Sequence, residues 1–540
     1  MKKFKFLSLA LAALALGACS SSDDVNESGG KESNTSYVTV NIKNVGATST
    51  RALSSSDFED GTDDENAITS VSFCFFKSDG TVYEMKDAQG NTTNVITKTD
   101  VTMNNEASDF NIEEISDVVL VLNGESKVAP ASVIAVINET LSGSVSKTEA
   151  IAKADDYRLS STRTNFVMSN SVYGNTTEVS LEGKVWPTAA EATANPVDIY
   201  VERVLAKVTI NLNSSDFLDT SVAGATKRIK VGTTSLGKDV YALLFGWGVA
   251  DGNAQSYLIK HLSDSYTNIG IDPWTTNDYH RSFWANSNTY ERANISYNEY
   301  KSQAFDKPVY TQENTPTTAF TAGADVYNNN ELSKVLVIAK LVDSSDKGLA
   351  ISTYRGAEYI GENDVKTAIA NFFSTKYYKK EGSTYKSIEP SDLELKTVND
   401  LGASAPGDMK RYEVVAQLKV PATQFYTKVG GTYNTVTSDD VNTSLKAERA
   451  QVRTEGAAYY YAPIRHLATA EGALGYYGVV RNHVYKVDIT GISGFGTPVY
   501  DPTEVIIPEI PSETKVYLAA KINVLSWRIV KQTVNLDKTK

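Results

Sequence analysis

The sequence predicts an all-β chain of two β-sandwich domains with long loops and a few short helices, on three observations. Apolar residues recur at period two in many short runs bounded by turn residues. Thirty tyrosines and abundant Val and Thr suit half-buried pleated surfaces. A length of 540 residues, 41% of them apolar, exceeds what one ordinary core can organise. A helical period stands out only at residues 365–373, where Ile369, Phe372 and Phe373 share an apolar side.

The first nineteen residues form a targeting signal. Lys2, Lys3 and Lys5 precede a short apolar run, Phe6 to Leu16, that is too short to span a bilayer comfortably. Leu16-Gly17-Ala18-Cys19 is similar to a bacterial lipobox, which implies cleavage before Cys19 and acylation of its sulfur; the alternative is an ordinary residue behind a signal peptide. The Ser20-Ser21-Ser22-Asp23-Asp24 run resembles an export tag of Bacteroidales surface lipoproteins, though such runs usually serve as solvated linkers. Residues 20–36 read as a tether, and residues 37–45 as a strand with Val38, Val40 and Ile42 on one face. The loop that follows, 46–56, is built of small residues around one basic residue, Arg51. By itself Arg51 reads as a solvated linker residue before it reads as a protease site. The acidic run 57–65 has solvation as its default reading, and it lacks the spacing of a calcium loop.

Strand candidates then follow at 68–76, 118–122, 132–137, 164–168 and 201–211, with a boundary at 213–216. The second region supplies 240–249, 335–341, 412–420, 458–464 and 477–492, and insertions such as 262–330 are expected to be surface loops. The resulting division is a signal at 1–19, a removable tether and first strand at 20–51, sandwiches at 52–213 and 214–497, and a Pro-rich linker with a tail at 498–540. Four prolines between Pro498 and Pro511 should hold the tail away from the body. In the tail, Val516, Leu518, Ala520, Ile522 and Val524 alternate as an apolar face that lacks an obvious partner, and Trp527 follows.

Little in the sequence suggests chemistry. The net charge is -13 and no Lys/Arg stripe is present, which argues against nucleic acid or another polyanion as partner. His261, His280, His466 and His483 stand at no metal-ligand spacing, and nucleophile-elbow, phosphate-loop and dinucleotide motifs are missing. His483 and the Tyr459-Tyr460-Tyr461 cluster read as packing residues before they read as a base or a sugar platform. Cys74, the one cysteine after Cys19, lies in an apolar run and reads as an inert buried thiol. Catalytic residues, cofactor and metal are therefore not expected, although 65 acidic residues leave remote carboxylate pairs open.

Several stretches in order resemble the major-subunit fimbrillins of Bacteroidales type V pili, most of all the Mfa type. They are the lipobox, the Arg51-Ala52 loop, Val201-Glu202-Arg203-Val204-Leu205-Ala206-Lys207, Phe245 to Ala250, Tyr459 to Pro463, Val479-Val480-Arg481-Asn482 with Tyr485, and Val524 to Trp527. The resemblance implies two transthyretin-like β-sandwich domains and a lipoprotein precursor anchored in the outer membrane. It further implies a cut between Arg51 and Ala52 by a trypsin-like Arg-specific protease. The cut would remove the first strand, and a neighbour's C-terminal strand would fill the groove by donor-strand exchange. Partners would be other copies head to tail together with anchor and tip subunits, in a cell-surface fimbria serving adhesion and biofilm formation. The alternatives are an anchor or tip subunit and a retained glycan-binding surface lipoprotein.

Overall fold

The computed structural model describes residues 35–45, 59, 61–99, 101, 112–124, 128–171, 176–250, 252–261, 284–287, 295–317, 331–419, 424–468, 470–508, 517–525 and 530–531. The chain is all-β, with strands in several sheets and a few short helices. The strand expected at 132–137 is Ser132–Ile137, and the 118–122, 335–341 and 458–464 readings appear as Ile112–Asn123, Lys334–Val342 and Ala457–Pro463.

An eight-stranded sheet organises the N-terminal part. Its order runs Val95–Lys98, Val71–Phe76, Ser132–Ile137, Met168–Asn170, Val197–Arg203, Thr35–Val45, Ile112–Asn123, with Val179–Ser180 paired to Ser132–Ile137. Val71–Phe76 is buried at all six positions, as expected of an interior strand whose two faces are both covered. Its core gathers Phe73, Phe75, Val133, Ile134, Val38, Val40, Leu120, Leu122, Ile199 and Val201.

Two five-stranded sheets form the C-terminal sandwich. One is ordered Val309–Thr311, Ala206–Leu212, Val484–Ser493, Tyr517–Leu525, Val530–Lys531; the other runs Lys227–Thr233, Asp239–Ala250, Lys334–Val342, Ala457–Pro463, Thr497–Pro498. Between them lie Val208, Ile210, Leu244, Trp247, Val335, Val337, Tyr460, Tyr485, Val487 and Ile489.

The run 201–211, expected as one strand, is two. Val197–Arg203 belongs to the N-terminal sheet and Ala206–Leu212 to the C-terminal one, so the chain crosses at Val204-Leu205, ahead of the boundary expected at 213–216. Val204 and Leu205 are themselves buried, which is why no turn residue marks the crossing.

Residues between Val342 and Ala457 build a third buried cluster, which carries two sheets and the helices Glu362–Phe373 and Ser438–Lys446. On the first helix Val365, Ile369, Ala370 and Phe373 are buried, but Phe372 is 44% exposed and lies under the Arg355 guanidinium, so it does not share the apolar side expected of it.

The expectation of surface loops over 262–330 is corrected in the described part. Tyr297–Lys301 is a short helix capped by Ser296 and Glu299, and Trp284, Tyr297, Tyr300 and Glu313 are buried. Gly246 and Gly248 admit that helix: a Cβ at Gly246 would strike the Tyr300 carbonyl, and one at Gly248 would strike the Tyr300 ring. Trp247 between them donates to Ala304 O at 2.9 Å.

Candidate functional site: the interior first strand, the last strand and the seam between domains

Thr35–Val45 is an interior strand, although it is the first to be described. It runs parallel to Val197–Arg203, with Val40 opposite Val197 and Ile42 opposite Ile199. On its other side it runs antiparallel to Ile112–Asn123, with Val38 opposite Leu120 and Val40 opposite Val118. Val38 and Val40 are wholly buried and Thr39 is 3% exposed. Tyr37 and Trp186 exchange backbone hydrogen bonds of 2.8 and 2.9 Å. Arg51, Ala52 and Cys19 lie outside the described residues, as does His280.

The last long strand, Tyr517–Leu525, is antiparallel to Val484–Ser493 of its own chain. Leu518, Ala520, Ile522 and Val524 fall opposite Ile492, Ile489, Val487 and Tyr485, and all four partners are buried. In this structure the tail therefore has a partner, and the expectation that the linker holds it away from the body is corrected. Pro498 sits in a short strand paired with Ala457–Pro463, Ile506 N donates to Ile295 O at 3.0 Å, and Tyr459 Oη donates to Ile507 O at 3.0 Å. An extended proline-rich segment leaves its backbone groups unbonded within itself, so they are free to bond to a neighbouring surface. Val516 and Trp527 are outside the described residues.

Where the two domains meet, two of the ordered motifs come together. Arg203 is fully buried. Its Nε donates to Glu65 O at 2.9 Å and its Nη1 to Asn482 Oδ1 at 3.2 Å, and Nη2 bonds to Asn66 Oδ1. Glu202 pairs with Lys260 at 2.8 Å and Arg481 with Glu313 at 3.1 Å, all four side chains lying entirely out of water. Arg481 also donates to Leu258 O at 3.0 Å and Tyr257 O at 2.6 Å. Such buried charges persist only when paired and hydrogen-bonded. Burial holds the Glu202 carboxyl above its ordinary pKa and the Lys260 ammonium below its own, and each one's charge opposes that shift in the other. Asn482 N donates to Leu205 O at 2.8 Å and Lys207 N to His483 O at 2.9 Å, which ties the crossing to the chain entering Val484–Ser493, the neighbouring strand of the same sheet.

Part of the acidic run 57–65 belongs to this seam, which corrects the solvated reading. Glu59 pairs with Lys207 at 3.2 Å and Lys486 at 2.5 Å. Glu65, 1% exposed, pairs with Lys207 at 2.9 Å and accepts from Tyr310 Oη at 2.6 Å. Burial raises the Glu65 pKa, but hydrogen bonds from Tyr310, Thr62 N–H and Lys207, together with the Lys207 charge, bring it below the ordinary glutamate value. Asp63 and Asp64 remain exposed. The sequence signal for this network was charge inside otherwise apolar runs, Glu202, Arg203 and Lys207 in one and Arg481 in the other.

The remaining readings concern single residues. Cys74 is buried beside Asn94, and burial pushes its thiol up to about 12, so it is inert. Tyr459, Tyr460 and Tyr461 are at most 4% exposed, in keeping with packing. His483, also buried, bonds to Arg481 O at 2.8 Å; His466 bonds to the Tyr485 hydroxyl at 2.9 Å; and His261 bonds to Ile151 O at 2.7 Å. Among the described residues, no group of three His, Cys, Asp or Glu side chains could hold a metal ion, and no helix is long and apolar enough to cross a membrane.

Comparison with known proteins bears out the resemblance over the C-terminal segment. Residues 452–533 match the family model for the C-terminal part of fimbrillin, the major fimbrial subunit protein type IV. No curated protein sequence matches the chain. Among solved structures, a fimbrillin, FimA, from Porphyromonas gingivalis aligns at 14% identity over 92% of this chain and 98% of its own, with a TM-score of 0.35. The C-terminally truncated tip fimbrial protein Mfa3 from the same organism aligns at 12% identity over 91% and 100%, with a TM-score of 0.30. The family match carries the link to known proteins. It spans Ala457–Pro463, Val484–Ser493 and Tyr517–Leu525, and so takes in the last strand and its partner.

Proposed function

We propose that this chain, fimbrillin-like in its C-terminal segment, is a structural stalk subunit of a cell-surface fimbria. In this reading it is exported as a lipoprotein acylated at Cys19, cut between Arg51 and Ala52 by an arginine-specific protease, and polymerised by donor-strand exchange. The observation that carries the reading is the interior position of Thr35–Val45. Its two sheet neighbours lie elsewhere in the sequence, and a cut after Arg51 would separate it from them in sequence without falling inside any described strand. The slot left behind has a defined direction, parallel to Val197–Arg203 and antiparallel to Ile112–Asn123, and a defined pleat, because a one-residue slip would turn every side chain to the wrong face. The alternation Leu518, Ala520, Ile522, Val524 matches that pleat, and Tyr517–Leu525 spans nine residues against eleven for the strand it would replace.

Before donation the last strand must leave Val484–Ser493, so each subunit exchanges an internal pairing for one with its neighbour. Head-to-tail insertion of this kind does not close on itself and yields a filament. The segment just past the cut would stay with the mature subunit, because Glu59 and Glu65 are held at the seam by Lys207, Lys486 and Tyr310.

The test is the N-terminal sequence of the protein in sheared surface fibres, expected to begin at Ala52. A start at Cys19 would instead favour a retained lipoprotein. Arg51→Ala should leave lipidated monomers on the cell, and SDS-resistant ladders from that variant would refute the processing step.

A further inference from the structure

The inserted cluster takes no part in the sheets that hold the first and last strands, and one of its own sheets has an unusual outer face. This four-stranded sheet is ordered Thr384–Ser387, Tyr377–Glu381, Phe425–Val429, Thr432–Val436. Tyr377 and Phe425 belong to the buried cluster on one side. Residues directly opposite in an antiparallel pair share a face, and the pairs Tyr378 with Tyr426, Lys380 with Tyr385 and Lys428 with Tyr433 alternate to the other side.

There the four rings form one group. Tyr385 and Tyr433 stack in parallel at 3.9 Å, Tyr378 meets Tyr433 edge-on at 5.1 Å, and Tyr426 meets Tyr385 edge-on at 4.9 Å. The Lys380 ammonium lies 5.5 Å from the Tyr385 ring centre and the Lys428 ammonium 5.3 Å from that of Tyr433. Both lysines are exposed, and among the described residues neither has a carboxylate partner, whereas neighbouring Lys379 and Lys386 are both paired with Glu381.

We propose that this tyrosine–lysine face binds a carboxylate-bearing saccharide, a class that no part of the filament-forming machinery requires. Two ammonium groups without counter-ions, on a chain of net charge -13, form a local positive site that an acidic sugar complements. Its carboxylate would draw an ammonium away from the ring it covers, and the aromatic surface so uncovered would take the C–H face of the pyranose. Single-stranded nucleic acid fits less well, because it needs a basic groove that follows the backbone, and among the described residues this face offers two ammonium groups without a carboxylate partner.

The experiment titrates the full chain with sialyllactose, with lactose as the neutral control, and reads ligand saturation transfer by NMR. Sialyllactose should bind more tightly than lactose. Lys380→Met with Lys428→Met should bring it down to the level of lactose, a loss of about tenfold, in keeping with hydrogen bonds to a charged group. Tyr385→Leu with Tyr433→Leu should weaken both sugars, measured well below the variant's own melting temperature so that loss of the ring contacts is not read as unfolding. The proposal is overturned if neither sugar binds at millimolar concentration, if the lysine pair can be removed without effect on sialyllactose, or if a single-stranded oligonucleotide displaces sialyllactose. Because the unprocessed chain is used, the outcome does not depend on cleavage or polymerisation.

Discussion

Beside the seam, Arg481 and Glu313 form an ion pair from which water is wholly excluded. Removing one partner leaves the other charged and alone, so Arg481→Met should destabilise the chain by about 3–5 kcal/mol in denaturant unfolding. Replacing both with apolar residues of similar volume should cost less than the sum of the single changes. Glu65 provides the pH dependence. Its folded pKa lies below the ordinary value, so its contribution is full above the unfolded pKa and is lost as pH falls through the folded one. Acid unfolding monitored by tryptophan fluorescence should therefore shift to higher pH in Glu65→Gln, with the difference from the parent fading below about pH 4. The network was only half legible in the sequence. Glu202, Arg203 and Arg481 stood in the sequence only as members of the ordered motifs, and which charge answers which is set by contacts between residues as far apart as Glu313 and Arg481.

Single elements were legible where turn residues bound an apolar run, as at Ser132–Ile137 between Pro130 and Asn138, although that strand is buried on both faces. Legibility failed where no turn residue separates two strands. Val197–Arg203 and Ala206–Leu212 read as one run, because the crossing at Val204-Leu205 is as apolar as the strands it joins. It failed again over 262–330, where tyrosines that looked like loop residues are packing residues. Tyr300 lies over Gly248, and its hydroxyl donates to Val249 O at 3.2 Å. Gly248→Ala should push the Tyr297–Lys301 helix off the sheet and lower stability by about 1–3 kcal/mol, read from the thermal midpoint.

For the molecule as a whole, the order of strands matters more than any one of them. The last strand read as unpartnered because the sequence cannot say which strand it lies beside; the structure gives it Val484–Ser493. Deleting residues 516–540 should leave Val484–Ser493 as an edge and give folded subunits that do not polymerise, checked by gel ladders and size-exclusion chromatography. Ordinary filaments from the truncated chain would count against donor-strand exchange.

Among the described residues, Ile112–Asn123 joins its sheet through Thr35–Val45 alone, and beyond that ladder the nearest link is a single bridge between Gly124 and Met85. Thr35–Val45 is thus a keystone: take it out and two strands lose their neighbour at once, one of them losing its only one. Val119 and Val121, 40% and 43% exposed, would then sit on a strand with both edges bare. A subunit cut far from any neighbour should become a protease target or a precipitate within the same stretch of chain, and hydrogen exchange over 112–123 should accelerate on cutting and slow again when a donor enters. Timing, and not affinity alone, then decides whether a cut subunit joins a fibre or is lost.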